Sequence, residues 1–233
     1  MPLTRRRAVA ALTGIAAGHI LSSAARAQES GMAGALIEAV NSGEATRVAA
    51  EIAGGADLER RDAAKRTPLL LATRANRVEI ARLLIDAGAD VNAKDNIRDT
   101  PFLYAGAEGR NEILRLILAT GRAKLDDTNR YGGNALIPAA HHGHPETVRI
   151  LIVAGLDIDH VNDLGWTALL EAVILGDGGP VYQEIVGILL DAGADATIAD
   201  RDGATPLEHA RRMGYDAIAR LIEAEAGKPD RRI

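Results

Sequence analysis

The chain has 233 residues, 47% hydrophobic and 25% charged, with no cysteine, so disulfide frameworks and cysteine-ligated zinc are excluded. Aromatics make up only 3%, too few to fill a single globular core of this size, which favours an elongated stack of short helices packed through Ala, Leu and Ile. The net charge is −5, but Arg5, Arg6, Arg7 and Arg26 all lie in an acid-free first stretch; beyond it 23 basic face 32 acidic residues, a net of −9 that argues against a nucleic-acid partner.

Residues 1–27 run from a basic start (Thr4-Arg5-Arg6-Arg7) through an apolar run, Ala8 to Leu21, into the small-residue tail Ser22 to Ala27. These are the three regions of a cleavable secretory signal. The apolar run, at about 14 residues, is shorter than the ~20 a membrane-spanning helix needs. Ala25 and Ala27 form the expected cleavage site. The arginine pair is twin-arginine-like, although Ala8-Val9 follow where an apolar pair with Phe is common, so the general secretory route stays open. A bacterial periplasmic destination is expected, with no membrane insertion after cleavage.

From about residue 32 the chain repeats itself. Thr67-Pro68-Leu69, Thr100-Pro101-Phe102, Asn134-Ala135-Leu136, Thr167-Ala168-Leu169 and Thr205-Pro206-Leu207 are equivalent, spaced by 33, 34, 33 and 38 residues. A second series follows each: Gly88-Ala89-Asp90, Gly121, Gly155-Leu156-Asp157 and Gly193-Ala194-Asp195, with Gly55-Ala56-Asp57 ahead of them. In each unit the Thr caps a first helix and the Pro is preset for its first turn. A short polar turn leads to a second helix, as in Val78, Ile80, Ala81, Leu83 and Leu84, which Gly88 ends. A hairpin-like loop such as 89–96 then projects. One unit cannot bury its own apolar faces, so the units must stack.

The T-P-L, G-A-D and V-N-A-K-D signatures at this period resemble ankyrin repeats across residues 32–227, with 228–233 as a C-terminal tail. The resemblance implies an all-α solenoid of about six stacked helix-turn-helix units with projecting hairpin loops. Residues 32–64 are expected to form an atypical first unit and 203–227 a closing cap. It also implies a monomer that binds a protein partner through its concave face, without enzymatic activity or cofactor. Oxidative-stress defence and toxin immunity are two settings in which periplasmic relatives of this kind work. Three departures from the pattern stand out. The His that usually follows T-P-L is replaced in every unit, the third unit carries Gly121-Arg122-Ala123, and Gly176-Asp177-Gly178-Gly179-Pro180 is inserted in the fifth.

Candidate partner-binding residues follow from the loop tips and first helices of such a stack. Tyr131, Asn162 and Trp166 fall at or near loop tips; Tyr104, His141, His142 and Glu171 fall on or beside first helices; Asp177 sits in the insertion. Aromatics on an accessible groove suit anchoring, while Trp166 and Tyr131 could equally cover joints between units. His141, His142, Glu171 and Asp177 carry a second reading, a small-ligand or metal site. No nucleophile-base-acid pattern is present, and the Gly-rich insertion lacks the Lys and preceding strand of a phosphate loop.

Overall fold

The computed structural model describes residues 34–227, so the signal and cleavage site expected over 1–27, and the tail 228–233, lie outside the described residues. Six helix pairs follow one another: α1 (34–42) with α2 (Ala45–Ala53), α3 (Pro68–Arg74) with α4 (Val78–Asp86), and α5 (Pro101–Ala107) with α6 (Asn111–Ala119). α7 (Leu136–His141) pairs with α8 (Pro145–Val153), α9 (Ala168–Ile174) with α10 (Pro180–Asp191), and α11 (Pro206–Arg212) with α12 (Asp216–Ala226). No strand occurs among the described residues. No helix there is long and apolar enough to cross a membrane.

First helices pack on first helices, in the order α3, α5, α7, α9, α11, and second helices form a parallel layer from α2 to α12. The core lies between these layers and runs unbroken from Leu36 to Ile222. Leu69, Leu70, Phe102, Leu136, Leu169 and Leu170 fill it from the first helices, and Leu84, Ile113, Leu114 and Leu151 from the second. First helices of six or seven residues are too short to persist alone. Those from α3 to α9 survive because most of their side chains are buried, while α11, with only Pro206, His209 and Ala210 buried, is held in addition by its capping box.

The repeated Thr acts as the sequence suggests. Thr67, Thr100 and Thr167 Oγ1 accept from the amides of Leu70, Leu103 and Leu170 at 3.3, 3.0 and 3.2 Å. Thr205 forms a full capping box with Glu208. In the fourth unit Asn134 replaces Thr, its Oδ1 accepting from Leu136 at 3.1 Å while its Nδ2 donates to the Asp157 carbonyl at 2.9 Å. The inserted segment ends as a turn in which Asp177 Oδ1 accepts from the Gly179 amide, and α10 starts at Pro180.

Candidate partner-binding groove

Five residues before each Thr or Asn of the repeat signature stands an Asp or Asn: Asp62, Asp95, Asn129, Asn162 and Asp200. In each loop one side-chain oxygen accepts from the backbone amides two and four residues ahead. For Asn162 the donors are Leu164 at 2.9 Å and Trp166 at 3.0 Å; for Asp200 they are Asp202 and Ala204. The same holds for Asp62, Asp95 and Asn129. This staple closes the loop tip and fixes which side chains face out. Its period is visible in the sequence, but it hides among many acidic and amide residues until the tip is seen to close on it.

The staple also engages one of the candidate residues: Asn162 is buried at 6% exposure and its Oδ1 is taken up by its own loop. Its Nδ2 donates to Glu171 Oε1 at 2.9 Å, nine residues on. The closing unit makes the mirror contact: His209 Nε2 lies 2.7 Å from Asp200 Oδ2, again nine residues apart. In that pair the carboxylate sits on the loop, where backbone donors and His209 hold its pKa below the ordinary range.

Pulled together by these loops, Tyr104, Tyr131, His141, His142, Asn162 and Glu171 line one cavity of about 540 Å³ on the concave side of the third to fifth units. That volume lies within the span of ligand-sized pockets. Tyr104, Pro138 and Glu171 occupy equivalent positions on α5, α7 and α9. The compact Pro138 ring leaves a gap between its longer neighbours. Trp166 is half-buried and Asp177 exposed, and neither lines the cavity. Of the aromatics expected on the groove, Tyr104 and Tyr131 therefore line this cavity and Trp166 does not.

Charges around the cavity are mostly matched. Arg74 lies 3.7 Å from Asp99 and stacks over the Tyr104 ring at 4.5 Å. Arg130 stacks over Tyr131 at 4.7 Å, and Glu108 lies 3.8 Å from His142. His142 Nδ1 donates to the Ala107 carbonyl at 2.7 Å. Glu171 differs. Burial pushes its carboxyl up to about 7, with the Asn162 hydrogen bond only partly opposing. The nearest basic group, His141, is 3.6 Å away, and burial together with His142 lowers its pKa, so it is a weak countercharge at neutral pH.

One feature of the groove escaped the sequence reading. Ile97, Tyr131 and Leu164 stand at equivalent loop-tip positions, and all three are exposed, at 41, 49 and 46%. Only Tyr131 attracts notice in the sequence, because single aliphatic residues in polar loops carry no signal until their equivalence is seen. The metal reading gains nothing: no group of three or more His, Asp or Glu among the described residues is placed to hold an ion.

A solenoid of this kind, with a lined concave groove, defines a protein-interaction scaffold. The chain matches the family described as ankyrin repeats (3 copies) over residues 102–200 and 139–232, and the single ankyrin repeat over 65–96. It belongs to the ankyrin-repeat family. It is similar to an ankyrin repeat domain from Acinetobacter baumannii AYE, 53% identical with a TM-score of 0.79, covering 83% of this chain and 98% of that one. It also resembles the ankyrin repeat protein EF0377 at 44% identity and a TM-score of 0.80, covering 82% of this chain and 97% of that one. An ankyrin repeat protein of Escherichia coli (strain K12), YahD, is 43% identical over 101 residues, 43% of this chain and 50% of that protein. The chain thus spans about half the length of that curated relative.

Proposed function

We infer that this protein is an exported binding module that holds a protein partner along the concave face of its third to fifth units. The observation that carries the reading is the row Ile97, Tyr131 and Leu164, exposed apolar side chains at equivalent loop tips beside the cavity. The flanking units place the small Ala64 and the charged Asp202 at that position, so this row of large apolar tips is confined to the third to fifth units. Contiguous exposed apolar surface bordered by charge is what a partner covers.

Pull-down with the folded chain, repeated with Tyr131→Ala and Leu164→Ser, tests the reading. An anchor at either position should cost about 2 kcal/mol or more of binding while the melting curve stays in place. Equal loss of binding and stability would instead make both packing residues. Export rests on the tripartite segment 1–27: sequencing the soluble, exported protein should start at Gln28, and a cytosolic pool with an intact Met1 would defeat it. The identity of the captured protein decides between stress defence and toxin immunity.

A further inference from the structure

We propose that the cavity between α5, α7 and α9 receives a basic side chain, arginine or lysine, from the bound partner, with the Glu171 carboxylate as its counterion. This rests on the partner-binding reading above and specifies the chemistry of its central contact.

Glu171 is a carboxyl with 6% exposure, held by one hydrogen bond from Asn162 and by no lysine or arginine among the described residues within ion-pair distance. Buried carboxylates in folded proteins are paired or else neutralised. Of the other acids lining the cavity, Asp99 is paired with Arg74, and Glu108, which approaches only His142 at 3.8 Å, is exposed to water where Glu171 is buried. Glu171 Oε2 has only the 3.6 Å approach of His141, too long for a hydrogen bond. With Asp99 offset by Arg74, Glu108 and Glu171 are the lining carboxyls that have no lysine or arginine within ion-pair distance among the described residues, and of these only Glu171 is buried. A cation is the complementary occupant.

The floor and walls suit an alkyl stem behind the charge. Ile137, Pro138 and Leu175 are apolar, Tyr104 and Tyr131 offer rings, and about 540 Å³ accommodates a long side chain with part of its backbone. Guanidinium and ammonium groups gain from aromatic faces as well as from a carboxylate. A polypeptide is favoured over a free amine because the exposed row Ile97, Tyr131 and Leu164 continues from the cavity along the loop tips, well beyond the reach of one side chain.

Occupation would shift a proton. The carboxyl sits near 7 when the cavity is empty, and an incoming cation favours its ionised form, so binding at neutral pH releases up to about half a proton. Of the groups facing it, His141 comes from α7 and Asn162 from its own loop; only His141 titrates, and its lowered pKa keeps it out of that exchange.

The experiment is selection of random-sequence displayed peptides on the folded protein, followed by calorimetry with the winners. The expected result is convergence on one arginine or lysine, with at least a tenfold loss when it is replaced by citrulline or norleucine. Glu171→Gln should cause a comparable loss without unfolding. Calorimetry in buffers of different ionisation heat should register proton release with the original protein and none with the variant. Winners that compete for the groove but lack a common basic residue, or that ignore Glu171→Gln, overturn the cation pocket and leave the partner-binding reading standing. Failure to select any groove-binding peptide overturns both.

Discussion

Glu171 is where single-residue physics is sharpest. The buried carboxyl titrates near 7 instead of the ordinary 4.5, so its ionised form is disfavoured in the folded state by up to ~3 kcal/mol. The folded protein therefore holds this proton more tightly than the unfolded chain between those two values. Stability from this group is complete below about 4.5 and is lost as pH rises through 7. Glu171→Gln keeps an acceptor for Asn162 and removes the charge. Chemical denaturation at pH 5 and pH 8 should show the variant matching the original at the lower pH and exceeding it at the higher. Parallel pH dependences in the two proteins would refute the assignment. Asn162→Ala, in contrast, strands two loop amides and the Glu171 carboxyl together and should cost about 1–3 kcal/mol. A change within a few tenths would mean the staple is dispensable.

At the scale of the element, the loop tips explain themselves through backbone geometry. Two residues before the repeat signature the chain enters the left-handed region in the second to sixth units, and Gly132, Gly165 and Gly203 do so without a Cβ. The second and third units use Lys65 at φ 59° and Arg98 at φ 66°. These are strained choices, and Arg98→Gly should raise stability by roughly 0.5–1 kcal/mol, read as a higher midpoint of thermal unfolding. Lys65 is a less clean test, since its carbonyl accepts from Arg61. In the helices, Leu84 is fully buried between layers, and Leu84→Ala should cost ~2–5 kcal/mol; an unmoved midpoint would contradict the packing described. Both layers were legible in the sequence because Thr-Pro and Gly-Ala-Asp mark helix starts and stops locally. The cavity was legible only in part. Tyr104, His141 and Glu171 lie on first helices whose register the signature fixes, but the burial of Asn162 against Glu171 and the absence of Trp166 from the lining depend on how a five-residue tip closes on its own staple.

Across the whole molecule, stability is a sum over units and their shared faces. Arg61 donates to the Lys94 carbonyl, Lys94 pairs with Asp127 at 2.5 Å, and Arg201 donates to the Asp163 carbonyl, so loop tips are tied from unit to unit on the groove side. Tyr182 Oη donates to the His141 carbonyl at 2.8 Å and Tyr215 Oη to the Gly176 carbonyl at 3.0 Å, fastening the fourth, fifth and sixth units where the insertion lengthens the chain. Deleting 203–233 would uncover the faces of α9 and α10 on which α11 and α12 now pack. The shortened protein should melt earlier and self-associate on size-exclusion chromatography. A monomer of unchanged midpoint would show that the sixth unit is not a cap.

The mirror contacts of Asn162 with Glu171 and Asp200 with His209 impose a grammar on how this groove can drift. An aspartate at position 162 would aim a second carboxyl oxygen at Glu171 from 2.9 Å, so Asn162→Asp obliges the two to share a proton while Glu171 stays, an obligation lifted once Glu171→His accompanies it. Spontaneous deamidation of Asn162 would perform the first half alone. An ageing molecule would then carry a paired acid in its cavity, and its affinity for a cationic partner would record how long it had been in service.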